Sequence, residues 1–299
     1  MKWALVLSGG GARGLAHIGV IEALEKMGYP PPSLISGCSM GAIIGGLYAA
    51  GMTTAEMRSF IGYAFNPVDF MTVPVSILAK GPLAKAFRIG RGLSNLFSAN
   101  GLDSGEKMHE LLLSLTNGVQ FGHTKIPFYC NATDLCTGRE VLLDKGPIAD
   151  AMRASSSFPG VFSPLLHKSR MLADGYLQHN TPVWIARKFG HRNVLAVTLN
   201  DFGKIEPDKL QNTFDVLMRS FDCAVSSQKK RKIDMPTSHI RAESNRSLFD
   251  FDHPELQINY GFESAMREEK MLKTFFAKGL KGMIGRRKLT RQERKGAYK

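Results

Sequence analysis

The first fifty residues contain one arrangement twice. "WALVLS", residues 3 to 8, is an apolar run long enough for one buried strand. It enters the glycine-rich "SGGGARG", after which "LAHIGVIEALEKMGY" carries apolar residues at helical spacing. The short strand "SLIS" follows, then a turn from Gly37 to Gly41, then "MGAIIGGLYAAGM", a helix whose small residues allow close packing on a sheet. Two strand–loop–helix units in so short a span predict an α/β fold: three layers, with a mostly parallel, doubly wound sheet flanked by helices.

The rest of the chain extends this pattern. A helix is expected near 104–116, a strand at "IPFYCNATDL" and a hairpin partner at "REVLLD". Next come a helix at "PIADAMRAS", a strand at "RMLADG", a helix near 181–189 and the apolar strand "NVLAVTLN". A long helix through 208–230, a short strand at "SHIRAE" and a C-terminal helix from Tyr260 follow. Between 64 and 100 the periodicity gives way to a stretch rich in proline, glycine, phenylalanine and basic residues, read as an excursion from the sheet. No break in composition forces a second domain. The expected organisation is a single catalytic domain over 1–285 that carries this excursion, and a basic C-terminal tail over 286–299.

A formal net charge of +13 points to anionic partners, a phospholipid surface among them. No recognition motif or aromatic–basic platform accompanies the charge, so nucleic acid is not an expected partner. Four cysteines, Cys38, Cys130, Cys136 and Cys223, lack the spacing of a metal site or a disulfide framework. The N-terminal apolar run is too short for a signal peptide and glycine or charge breaks every longer one, so a cytoplasmic protein is expected.

Gly37-Cys38-Ser39-Met40-Gly41 is a G-x-S-x-G pattern, which in a chain with 30 glycines also arises by chance. Its context is that of a nucleophile elbow: a strand before the serine, a helix directly after it, and small residues around the turn. The other reading is a serine that caps its helix. The loop Gly9 to Gly14 formally satisfies G-x-G-x-x-G, but "YPPPSLIS" stands about 20 residues on, where a dinucleotide site needs an acidic residue. The glycines are better suited to an oxyanion loop serving Ser39. A base for Ser39 has several candidates: His17, His109, His123, His167, His179 and His191, and Asp174, which ends the strand "RMLAD" beside Gly175. An Asp-Gly pair is also an ordinary turn.

In their order and separation, "GGGARG", "GCSMGA" and "DG" after a strand resemble the patatin-like phospholipase family, in its bacterial form. "PFYCNATDLCTGREVLL" and "AMRASSSFPGVFSPL" extend the likeness over most of residues 4–200. The resemblance implies a dyad with Ser39 as nucleophile and Asp174 as base. It also implies an oxyanion hole from Gly10, Gly11, Ala12 and Arg13, an elbow of Gly37, Cys38, Met40 and Gly41, and a motif turn at Gly175. It requires no cofactor or metal. Tyr176 departs from the glycine or alanine usual after Asp-Gly, which bears on the shape of the site, and Cys38 stands where threonine is common.

A carboxylate with an ordinary pKa of about 4 is a weak base for a hydroxyl, so Asp174 needs burial to raise it. The function expected is a serine acyl hydrolase of lipid esters, phospholipase A or lysophospholipase-like, passing through an acyl-Ser39 intermediate. It would work in the cytoplasm or peripherally on an anionic inner membrane face. Acyl transfer or thioester hydrolysis would use the same dyad, and a non-catalytic anion- or nucleotide-binding regulator would use the glycine loop alone.

Overall fold

The apolar runs of the sequence pair into one sheet in a computed structural model that describes residues 1–63, 103–199, 205–210, 213–226, 232–242, 244 and 251–297. The excursion expected at 64–100 lies outside the described residues. Among those described, eight strands form the sheet: β1 (Ala4–Leu7), β2 (Ile35–Gly37), β3 (Phe128–Asp134), β4 (Arg139–Leu143), β5 (Leu165–His167), β6 (Arg170–Asp174), β7 (Val194–Thr198) and β8 (Ser238–Arg241). Neighbours pair in the order β5-β6-β3-β2-β1-β7-β8, with β4 also on β3. β3, β2, β1, β7 and β8 are parallel, while β4, β5 and β6 enter through antiparallel pairings. The fold is thus a mixed, mostly parallel sheet flanked by helices.

The alternation of β1 shows both faces covered. Trp3, Leu5 and Leu7 join the larger core with α1 (Ala16–Lys26), α2 (Met40–Ala50), α3 (Thr54–Tyr63), α4 (Glu106–Thr116) and α5 (Ile148–Ser155). Ala4 and Val6 face the other way, onto Val183 and Ala186 of α6 (Val183–Lys188). Successive strand residues point to opposite faces, so a strand buried on both sides reads as a continuous apolar run.

Register explains why the two ends that matter meet. β2 runs parallel to β3 and ends with Gly37 opposite Cys130; β6 runs antiparallel to β3 and ends with Asp174 opposite Ala132. Cys130 also pairs with Leu143, and Ala132 with Val141, both from β4, which occupies the other edge of β3. β2 and β6 therefore lie along the same edge of β3 and run toward each other. Their carboxyl ends stop two residues apart on that edge, roughly 7 Å at strand spacing.

The C-terminal region departs from expectation. A short 3-10 turn at Pro207–Lys209, where the expected helix over 208–230 was to begin, precedes α7 (Thr213–Ser226); residues 227–230 lie outside the described residues. The helix expected from Tyr260 begins earlier, at Pro254, where proline suits a first helical position. It is then divided into α8 (Pro254–Arg267), α9 (Glu269–Phe276) and α10 (Gly279–Ala297), with Gly279 at φ +64° opening the last. Residues 285 and 286, the expected boundary of a tail, lie inside α10. Arg286 donates to the carbonyls of Phe275 and Ala277, and Glu293 pairs with His239 of β8 at 2.6 Å. Among the described residues no helix is long and apolar enough to cross a membrane.

Candidate active site

Ser39 joins β2 to α2 with φ 52° and ψ −125°, outside the regions that a serine ordinarily adopts. Such a conformation costs on the order of 1–3 kcal/mol and persists only where its surroundings impose it. Here they do. A Cβ on Gly37 would collide with the Gly41 carbonyl, and one on Gly41 with the carbonyls of Leu7 and Ser8, so this turn closes only with glycine at both places. Cys38 N–H donates to the Leu7 carbonyl at 3.1 Å, and Ser39 N–H to Ser155 Oγ at 3.0 Å. Ser39 occupies the N-cap position, yet its side chain makes no capping hydrogen bond. The capping role is therefore corrected: the side chain of Ser39 makes no hydrogen bond to the helix backbone.

Asp174 ends β6 completely buried. Its backbone is fixed by an N–H bond to the Ser157 carbonyl at 2.9 Å and by Thr133 Oγ1, which donates to its carbonyl at 3.0 Å. Its Oδ1 accepts from Tyr176 N–H at 2.8 Å and from the Cys38 thiol at 3.6 Å. Burial pushes the carboxyl up to about 7, against the Ser39 hydroxyl and the Cys38 thiol, which favour the ionised form. Oδ2 has no hydrogen bond of standard geometry. The Ser39 contact is thus looser than a formed hydrogen bond, as in many resting sites that tighten only around substrate. Cys38, wholly buried beside a carboxylate, has its thiol pushed well up and stays protonated as a donor.

The glycine loop completes the wall. A Cβ on Gly9 would lie 3.0 Å from Ser39 Cβ, and one on Gly14 would strike the Met40 side chain, so residues 10–13 arch across the head of α2. Gly11–Leu15 forms a 3-10 turn running directly into α1, with Gly10 before it. In a 3-10 turn that opens at Gly11 the Arg13 N–H is already paired with the Gly10 carbonyl, so the amides left without an intrahelical acceptor are those of Gly11 and Ala12. At α2 the N–H groups of Gly41, Ala42 and Ile43 already bond the carbonyls of Cys38 and Ser39. That leaves Met40 N–H as the donor of that helix nearest the hydroxyl. Burial lowers the Arg13 pKa and raises that of Asp222 on α7, and each partly offsets the other's desolvation.

Four of the six candidate histidines have partners of their own. His17 is buried, bonds the Ser8 carbonyl through Nε2 at 2.7 Å, and is pushed by burial down to about 4, so it is neutral at pH 7. His109 meets Asp150 at 2.7 Å, and His191 bonds Ser33 at 3.0 Å. His179 Nδ1 bonds Glu140 at 2.7 Å while its Nε2 faces Asp234. Among the described residues no cluster of three His, Cys, Asp or Glu is arranged to hold a metal.

Several residues of the site lie beyond what the motifs announced. Ser155 anchors the Ser39 amide. Asn180 Nδ2 and N–H of Gly9 make reciprocal bonds with the opposite backbone carbonyls at 3.4 and 3.2 Å, while Asn180 Oδ1 is left unpartnered. Asn131 underlies Gly175, where a Cβ would fall 2.5 Å from Oδ1. Tyr176 donates its hydroxyl to Asp222 and packs near Phe158. Of these, Tyr176 stood out by its departure after Asp-Gly, and Ser155 only as part of the block "AMRASSSFPGVFSPL". The neighbouring Arg153 is buried against the carbonyls of Ser104, Gly105 and Ser163 and the Ser157 hydroxyl, so it serves the chain's own backbone.

A serine held in strained backbone between a strand and a helix, at the carboxyl end of a mostly parallel sheet, defines the class of α/β proteins with a nucleophile-elbow geometry. Residues 5–187 match the family model of patatin-like phospholipase, and the chain belongs to that family. Lysophospholipase NTE1 of Mycosarcoma maydis is 33% identical over 210 residues, which are 69% of this chain and 10% of that protein. An uncharacterized NTE family protein of Mycobacterium bovis is 35% identical over 197 residues, 66% of this chain and 49% of its own length. The chain thus aligns with a tenth of the first relative and about half of the second. VipD from Legionella pneumophila superposes with a TM-score of 0.46 at 15% identity, covering 89% of this chain and 66% of that one.

Proposed function

We propose that the protein is a serine acyl hydrolase of lipid esters that works through Ser39 and Asp174. The observation that carries this reading is the pairing of a strained Ser39 with a buried Asp174 whose Oδ2 is otherwise unpartnered. Ser39 Oγ attacks the ester carbonyl carbon as its proton passes to Asp174. The resulting oxyanion is held by N–H groups of the 10–13 arch and of Met40. Collapse breaks the carbon–oxygen bond of the ester, and the leaving alkoxide takes the proton from Asp174. Water then adds to the acyl-Ser39 carbonyl, gives its proton to Asp174, and release of the fatty acid returns that proton to Ser39 Oγ. A carboxyl near 7 is matched to this exchange at neutral pH, and its partner needs no histidine.

Labelling with an active-site-directed fluorophosphonate, together with fatty-acid release from lysophospholipid, tests the assignment. Wild type is expected to label and to turn over. Ser39→Ala is expected to do neither, and labelling that persists in it would remove Ser39 as nucleophile.

Peripheral contact with anionic lipid on the cytoplasmic side belongs to the same proposal. α10 exposes Leu280, Met283 and Ile284 among Lys281, Arg287 and Lys288. Phe275 and Phe276, at the end of α9 just before α10, pack edge-on against Trp3, which precedes β1. Salt-sensitive sedimentation with anionic liposomes, reduced by Arg287→Glu together with Lys288→Glu on the exposed face of α10, is the expected behaviour.

A further inference from the structure

Asp174 Oδ2 has a counterpart further along the turn that it opens. Asn180 Oδ1 is likewise a buried acceptor with no donor. One side chain pins the turn between them: Asn131 Nδ2 donates to the carbonyls of Gly175 at 3.4 Å and His179 at 2.9 Å, the residues that follow Asp174 and precede Asn180. The far end of the turn is tied to the glycine loop. Gly9 N–H donates to the Asn180 carbonyl at 3.2 Å, and Asn180 Nδ2 to the Gly9 carbonyl at 3.4 Å. That second bond sets the amide, because turning it over would bring two oxygens face to face. Oδ1 then borders a spot that Gly9 leaves bare: a Cβ there would lie 2.6 Å from Asn180 Oδ1 and 3.0 Å from Ser39 Cβ.

A buried acceptor without a donor is costly, and beside Ser39 a reactant can supply the donor. The ester group of the first half-reaction carries no O–H, so acylation gives Oδ1 nothing to accept. Water, the reactant of the second half, has two O–H groups for the two acceptors. We propose that Asn180 is a catalytic residue of deacylation: Oδ1 accepts one O–H of the attacking water while Asp174 accepts the other, which turns a lone pair of the water toward the acyl-Ser39 carbonyl carbon. The proton on the Asp174 side passes to the carboxylate as the new carbon–oxygen bond forms. The bond from that carbon to Ser39 Oγ then breaks, and Oγ takes the proton back from Asp174. The proton on the Asn180 side stays on the water's oxygen and leaves with the fatty acid. The inference rests on the Ser39 reading and adds the group that favours water over an alcohol as acyl acceptor.

Competition between water and methanol tests this. Methanol has one O–H, which Asp174 takes, and meets Asn180 with a methyl group. p-Nitrophenyl butanoate is turned over in buffer containing methanol, and the ratio of methyl butanoate to butanoic acid is measured. The proteins compared are wild type, Asn180→Ala, the near-isosteric Asn180→Leu and Asn180→Asp, all of which keep the backbone bond from Gly9. In Asn180→Ala and Asn180→Leu, either of which suffices if folded, the ratio is expected to rise about tenfold, the factor of one hydrogen bond. Asn180→Asp restores an acceptor without the Nδ2 donor, so its ratio should return toward wild type even where the added charge slows both products. A residue that only holds the glycine loop would lower both products together. An unchanged ratio in the apolar variants, or a ratio raised alike in Asn180→Asp, overturns the proposal. Repeating the wild-type reaction with phenyl butanoate checks the reading beneath it, since one acyl-enzyme gives one ratio from both esters. A ratio that changes with the leaving group, with no butanoyl-Ser39 found by mass spectrometry, overturns the Ser39 reading and the role of Asn180 with it.

Discussion

The head of α2 and the crossing of α1 with α8 rely on the same steric device, and only one of them gathers chemistry. At the first, Gly37 lies against the Gly41 carbonyl and Gly41 against the carbonyls of Leu7 and Ser8; at the second, a Cβ on Gly19 would strike the Ile258 carbonyl and one on Gly261 that of Ala16. Around the crossing sit Ile18, Ile21 and Ala265, with the Gln257 amide as a polar exception. Around the head of α2 lie the buried unpartnered atoms Asp174 Oδ2, Asn180 Oδ1 and Asn131 Oδ1, beside a serine at positive φ. Close backbone approach is therefore a packing solution in both places. What separates them is stored strain together with polar groups left available.

The largest test of that difference is Ser39 itself. Ser39→Ala is expected to cut kcat/KM for a soluble ester at least about a thousandfold. Ser39→Gly is expected to be equally inactive and to raise stability by about 1 kcal/mol, because glycine adopts φ +52° without strain. A denaturant titration showing no gain in Ser39→Gly would mean that the turn holds no strain worth releasing.

Asp174→Asn comes next, with an expected loss of at least about a hundredfold and a changed pH profile. In the wild type kcat/KM should rise with pH through about 7 as the carboxyl ionises. Stability should move the opposite way. Between the unfolded value of 3.8 and about 7 the folded state binds the extra proton, so stability falls as pH rises through that window. The step amounts to at most about 4 kcal/mol, fully incurred above 7. Asp174→Asn should therefore melt above wild type at pH 8 and lose that advantage at pH 4; equal melting at both would show that burial imposes no such cost.

Gly19→Val probes the other region. Its side chain would meet backbone, so a loss of about 3 kcal/mol, on the order of 10 °C in Tm, is expected, while folded molecules keep activity within about tenfold. A thousandfold loss in folded protein would erase the contrast between the two crossings.

How much of this was legible follows from what each feature depends on. The elbow was readable because its strand, serine, glycines and helix are neighbours in sequence, and the family resemblance singled out Asp174. The reason Ser39 and Asp174 meet was not readable, since it lies in the antiparallel entry of β6 along the β2 edge of β3, a matter of register between distant segments. Ser155 and Asn180 were hidden for the same reason: a serine in "ASSSFP" or an asparagine before Thr181 says nothing of the amide that it will anchor. The break of the C-terminal helix at Gly279 had a local signal, but the basic run concealed it; docking through Glu293 and His239 makes α10 part of the fold.

The smallest effect expected is at Tyr176, where the sequence departs from glycine or alanine. Its hydroxyl donates to Asp222, which also stabilises the charge of Arg13 in the glycine arch, and Phe158 lies near both Tyr176 and Phe221 of α7. The substitution thus ties a helix outside the family-matched span to the turn that follows Asp174. Tyr176→Phe keeps the ring contacts and removes one hydrogen bond, for an expected loss of about 1 kcal/mol. Asp222→Asn keeps the bond and removes the charge facing Arg13. If α7 acts on the site through Arg13, Asp222→Asn should lower kcat severalfold with Tyr176→Phe near wild type. If it acts by holding the Tyr176 turn, the order should reverse, and the two variants measured side by side on one soluble ester decide between charge and anchorage.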